Sequence, residues 1–179
     1  MADTLDLQFP DSAGPIVEPA ALSGHDRSLD AVESWFRAQS KMDERFGEVL
    51  RQSIDEVLDG QRTGRFDIYA SNVAKTERTY LGTKVEIVCQ DEFQLERGQA
   101  MDYRIAGHQV DAKFSMSSQF GQAIPREAIG HLCLLMYAHD RRGRFSVGLV
   151  RAKEDILNTG ANQDGKRTEL FRVTDHDGL

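Results

Sequence analysis

Two cysteines are all that this chain of 179 residues contains, Cys89 and Cys133, set among apolar neighbours such as Val88, Leu132 and Leu134. A disulfide-knit secreted scaffold is thereby excluded, and two reduced, buried thiols of a cytoplasmic protein are expected. No apolar run approaches the roughly 18 residues that cross a bilayer, so no membrane partner is expected. The opening "MADTLDLQFPDSAG" has neither a basic stretch nor an apolar one, and no secretory leader is expected. Positive charge is short as well: the net charge of −7 lends a nucleic-acid partner no support. Its distribution still admits one, because Asp3, Asp6, Asp11 and Glu18 lie in residues 1–24 without a Lys or Arg, leaving the remainder at −3. Proline is scarce, and three of the four (Pro10, Pro15, Pro19) fall in the first 19 positions. Internal repeats and low-complexity blocks are absent.

What is present begins with residues 1–26, which read as a flexible acidic tail. A single domain over 27–179 is expected, long enough to bury a real core. Ser28 is the expected N-cap of a first helix carrying Leu29, Val32, Trp35 and Phe36 at helical spacing. A second amphipathic run aligns Met42, Phe46, Val49, Leu50, Ile54, Val57 and Leu58, and stops at Asp59-Gly60. After the Gly-rich basic turn "GQRTGRFD", Thr76 is the expected cap of a third helix reaching about Phe93. Tyr80, Val85, Val88, Cys89 and Phe93 are expected to point inward, with Glu86 beside that stripe. The period then changes from helical to alternating. Strands are expected at 101–105 and 108–116, a doubly covered central strand in "IGHLCLLMYAH" (129–139), and another in "RFSVGLVRA" (144–152) after the turn "DRRG". A short helical piece at 153–157 and a polar C-terminus close the chain. This order of elements predicts an α/β (α+β) domain around a central mixed sheet flanked by helices.

The hairpin at 101–116 carries the chemistry. A two-residue loop at Ala106-Gly107 makes Tyr103 face Val110, Arg104 face Gln109, and Asp102 face Asp111. Alternation puts Tyr103, Ile105, Val110, Phe114 and Met116 on one side and Asp102, Asp111, Lys113 and Ser115 on the other. Opposed residues have Cβ atoms about 4.5–5.5 Å apart, so the two carboxylates repel. Spacing alone leaves two readings. The polar side of the hairpin is a solvated face, or a hard divalent cation such as Mg²⁺ sits between the acids. In the second, the Ala112 carbonyl lies near the ion and Lys113 beside the attacking water. Glu86 adds a third acid, through a water or a second ion.

An acid followed by Asp-x-Lys on the adjoining strand resembles the PD-(D/E)xK nuclease signature, with Met101 at the proline position. The blocks "DGQRTGR" (59–65), "AKTERTYLGTKVEI" (74–87), "DYRIAGHQVDAKFSMS" (102–117), "IPREAIGHLCLL" (124–135) and "VGLV" (147–150) resemble the catalytic domain of the NaeI-type restriction endonucleases. The resemblance implies a restriction-endonuclease-like fold and a Mg²⁺-dependent type II enzyme. That enzyme cuts double-stranded DNA at a specific sequence, leaves 5′-phosphate ends, works as a homodimer and has a cognate DNA methyltransferase in the host. It implies Glu86, Asp102, Asp111 and Lys113 as catalytic residues. Asp102 and Asp111 bind the metal, with the Ala112 carbonyl, and Glu86 supports the site. A repair or nicking nuclease, or a non-catalytic DNA-binding descendant, is the alternative. The family's second, C-terminal DNA-binding domain is not expected within this chain. Expected DNA contacts are Arg62, Arg65, Lys75, Thr76, Arg78 and Lys84, near or within the Glu86 helix, and Ser115, Ser117 and Gln119 after the catalytic strand.

Overall fold

A computed structural model describes residues 26–116 and 128–152, together with the backbone of three further strands at 5–7, 122–124 and 171–177. The predicted 153–157 helix lies outside the described residues. So does the proposed tail, apart from its last residue, Asp26, and β1 (Leu5–Leu7), which pairs antiparallel with β5 (Gln122–Ile124).

Helix α1 (Arg27–Arg37) buries Leu29, Val32 and Phe36. Its cap is Asp26, not the expected Ser28: Asp26 Oδ1 accepts from the Leu29 N–H at 3.1 Å, and Ser28 lies inside the first turn, donating its hydroxyl to the same oxygen at 2.8 Å. Arg151 explains the choice, since it grips the Asp26 carboxylate through Nε at 2.7 Å and Nη2 at 2.8 Å. Helix α2 (Met42–Leu58) buries Phe46, Val49, Leu50, Ile54 and Leu58 along the anticipated stripe. At its end Asp59, with φ 47°, takes the left-handed conformation usually left to glycine. Gly60 is needed for another reason: it opens the short helix α3 (Gly60–Thr63), and a Cβ there would stand 2.6 Å from the Phe66 ring.

Helix α4 (Lys75–Glu92) starts two residues earlier than expected, with Ala74 at the N-cap position in place of Thr76. The Glu77 carboxylate accepts from the Ala74 N–H at 2.9 Å, leaving Thr76 exposed in the first turn rather than capping. The inward stripe is Leu81, Val85, Val88 and Cys89; Tyr80, one position off it, is 49% exposed. Phe93 closes the helix against Phe46, ring centroids 4.6 Å apart, with the Arg45 guanidinium 4.3 Å over its face.

Six strands form the main sheet in the order β2-β3-β4-β6-β7-β8. They are β2 (Glu96–Arg97), β3 (Tyr103–Ile105), β4 (His108–Ser115), β6 (Leu132–His139), β7 (Arg144–Arg151) and β8 (Phe171–Asp177). Among these described strands, β4 and β6 are the one parallel pair. Leu132, Leu134, Met136 and Ala138 of β6 join the helical core; Cys133 and Leu135, on the opposite face, pack with Ala128, Val150 and Ala152. That double coverage is what the continuous apolar run foretold. Helices α1, α2 and α4 all contribute to the first of these cores, so they share one face of the sheet. Both cysteines are free and buried. Among the described residues no helix is long and apolar enough to cross a membrane.

Candidate active site

The β3–β4 hairpin follows the register that counting gives: Tyr103 pairs with Val110, Arg104 with Gln109 and Ile105 with His108. Ala106 (φ 49°) and Gly107 (φ 82°) make the two-residue loop, both left-handed as a type I′ turn requires. One further step along the ladder sets Asp102, just before β3, against Asp111. Asp111 and Lys113 pair with Cys133 and Leu135 of β6, so they stand on the face of the sheet away from the helices.

Asp111 is only 6% exposed. Lys113 Nζ donates to its Oδ1 at 3.0 Å and stands 2.8 Å from Oδ2, which is sealed from solvent and has no hydrogen bond of its own. Burial pushes the Asp111 carboxyl up to about 6; Lys113 opposes the shift and Asp102 adds to it. Asp102 is fixed differently. Its Oδ2 accepts from the Ala112 N–H at 2.7 Å. In an extended strand a residue's N–H and C=O point to the same neighbour, so the Ala112 carbonyl also projects to the Asp102 side.

Glu86 is half-buried on α4, and burial followed by the charge of Asp102 raises its carboxyl above the ordinary range. Its backbone carbonyl oxygen accepts from the Tyr103 hydroxyl at 2.8 Å. Glu86 thus lies in the electrostatic reach of the aspartates, but among the described residues no three His, Cys, Asp or Glu side chains gather tightly enough to hold a metal ion. The tight constellation is Asp102, Asp111 and Lys113. Tyr103 was not singled out in the sequence as part of the site; its place directly after Asp102, pointing to the opposite face, is the signal that marks it.

The basic residues divide. Arg65 forms a two-pronged pair with Glu77 at 2.7 and 2.9 Å and donates to the Leu58 carbonyl oxygen at 3.3 Å, tying the end of α2 to the start of α4. Lys84 pairs with Glu56 of α2 at 2.5 Å. Two residues from Glu86, it points to the opposite side of its helix. Arg62 is exposed and pairs with Asp59 at 2.5 Å. Lys75 and Thr76 are exposed in the first turn of α4, and half-buried Arg78 shares the Glu86 face through Gly82. Ser115, half-buried, lies on the same side of β4 as Asp111 and Lys113. Ser117 and Gln119 lie outside the described residues.

Comparison with known proteins bears on this arrangement. A family model described as restriction endonuclease NaeI matches residues 30–173, which span both the hairpin and the Glu86 helix. The chain belongs to the NaeI restriction endonuclease family. It is 42% identical over 149 residues to the type II restriction enzyme NaeI of Lentzea aerocolonigenes, an overlap of 83% of this chain and 46% of that protein. The chain therefore spans about half the length of this NaeI relative. The mixed sheet with its helical layer accords with the restriction-endonuclease-like fold implied by the NaeI resemblance.

Proposed function

We propose that the chain is the catalytic domain, residues 27–179, of a Mg²⁺-dependent type II restriction endonuclease that cuts double-stranded DNA at a specific sequence. The observation that carries this reading is the buried Asp111 set against Asp102 and bonded to Lys113, in a chain of the NaeI family.

The donor set suits a hard divalent cation. Asp111 offers a buried carboxylate whose charge Lys113 balances, Asp102 a second carboxylate, and Ala112 a backbone carbonyl on the same edge. Glu86 supports the site through a water. Such an ion would neutralise two repelling acids and stabilise the charge that builds on a phosphoryl group under attack. The residues supply the rest. Lys113 orients the attacking water and offsets negative charge at the phosphorus. Water oxygen bonds to phosphorus, the bond from phosphorus to the 3′ oxygen breaks, and a proton passes to that oxygen, leaving a 5′-phosphate. Two copies acting as a homodimer would cut one strand each, in the cytoplasm of a host whose own sites a cognate methyltransferase protects.

Arg62, Lys75, Thr76 and Arg78 are the DNA contacts favoured by their placement, and Ser115 lies beside the catalytic pair. Arg65 and Lys84 serve better as ties between α2 and α4. Digestion of a long DNA of known sequence, followed by end mapping, tests the proposal. Breaks recurring at one short sequence with 5′-phosphate ends are expected, and only with Mg²⁺. Random breaks, nicks alone, or intact DNA would contradict it.

A further inference from the structure

Electrostatics alone would not place the Asp102 carboxylate opposite a buried Asp111. Much of what holds it there lies outside the pair. Asp102 ends the turn between β2 and β3, where the Gly98 N–H donates to the Asp102 carbonyl oxygen at 3.1 Å. Inside this turn the backbone N–H groups of Gln99, Ala100 and Met101 converge on one atom, Oε1 of Gln109 on β4, at 3.0, 3.2 and 3.3 Å. Successive N–H groups arranged in this way form the concavity that elsewhere holds an anion. The turn has no slack: a Cβ at Gly98 would stand 2.1 Å from the Met101 carbonyl oxygen and 2.8 Å from Gln109 Oε1. Gln109 is itself fixed in register, opposite Arg104 and two residues before Asp111, so its side chain leaves β4 on the Asp111 side.

We propose that Gln109 is a positioning residue whose amide oxygen clamps the 99–101 turn and so presents the Asp102 carboxylate to a divalent cation shared with Asp111. The inference rests on the reading of that pair as a cation site. Without the clamp, three amides are released and the turn loosens. Repulsion then drives Asp102 away from Asp111 and off the Ala112 N–H. The loss falls on cation affinity and on the divalent concentration needed for cleavage, while turnover at saturating cation changes less.

Ca²⁺ calorimetry and amide hydrogen exchange on the full chain test this. Gln109→Met keeps the side-chain length and removes the acceptor; Gln109→Glu keeps an acceptor for all three N–H groups. The expected result is a Ca²⁺ affinity about 10–100-fold weaker in Gln109→Met, the range for lost outer partners of a metal ligand, and retained in Gln109→Glu. Exchange at the Ala112 amide, which donates to Asp102, should accelerate in Gln109→Met alone. Unchanged affinity in Gln109→Met, equal loss in both variants, or an Ala112 amide that stays protected while those of 99–101 open would overturn the positioning role. A wild-type chain that takes up no Ca²⁺ while its Ala112 exchange responds to Gln109→Met would sink the cation site and leave the positioning role standing.

Discussion

The buried hydroxyl of Tyr103 donates a 2.8 Å hydrogen bond to the backbone carbonyl oxygen of Glu86, joining the strand that follows Asp102 to the helix that carries the third acid. Tyr103→Phe removes that bond, together with the hydroxyl's contact with the Cys89 thiol, and leaves the ring in place. The carbonyl keeps its bond within α4, so the loss should be that of one net hydrogen bond, about 0.5–1.5 kcal/mol in urea unfolding. Cleavage should fall as well, because Glu86 loses its tether to the hairpin.

Asp111 gives the protein a particular pH response. Its folded pKa, about 6, lies above the unfolded value, so between pH 4 and 6 the native chain binds more protons than the unfolded one. This group therefore stabilises the fold at low pH, and its contribution is lost as pH rises through about 6. Asp111→Asn abolishes the dependence, so its stability relative to wild type should increase over that window. The same proton competes with a cation, and Ca²⁺ affinity should weaken below pH 6. Unfolding midpoints and calorimetry across pH check both.

Asp26 works with the opposite sign. Its pairing with Arg151 holds the carboxyl far below the ordinary range, so its contribution is complete above the unfolded pKa and is lost as the pH falls below it. Asp26→Ala loses the α1 cap and the Arg151 fork together and should cost about 1–2 kcal/mol at neutral pH. Denaturant titration measures it.

Lys75 and Lys84 should separate cleanly. Lys75→Ala should weaken DNA binding and lower the slope of log affinity against log salt by about 1, the signature of one phosphate contact. Lys84→Ala, which breaks the pair with Glu56, should lower the thermal midpoint and leave the salt slope unchanged. Binding isotherms at several salt concentrations and thermal scans distinguish the two.

The hairpin was legible from the sequence because its constraints are local: a two-residue loop ending in Gly107 and strict alternation leave one register, and that register opposes Asp102 and Asp111. The run Leu132–His139 was legible for a similar reason, since a short, continuous apolar segment after a turn signal suits a strand covered on both faces. Helix starts were not. Asp26 outcompetes Ser28 through Arg151, a partner 125 residues away, and Glu77 secures the start of α4 ahead of Thr76. Strand β8 escaped notice because its sequence, "FRVTDHD", has too few apolar residues to announce a strand. Arg65 invites a reading as a phosphate ligand because charge is visible in a sequence and its pairing with Glu77 is not; the Arg65 side chain is 16% exposed.

The central claim is that Asp102 and Asp111 together make this chain a nuclease. The most direct test is linearisation of a supercoiled plasmid in Mg²⁺ by wild type and by Asp111→Asn, with circular dichroism establishing that both are folded. Linear product from wild type, and a rate lower by about 10²–10³-fold or more in the variant, is the predicted outcome. A folded Asp111→Asn that cuts as fast as wild type would contradict it.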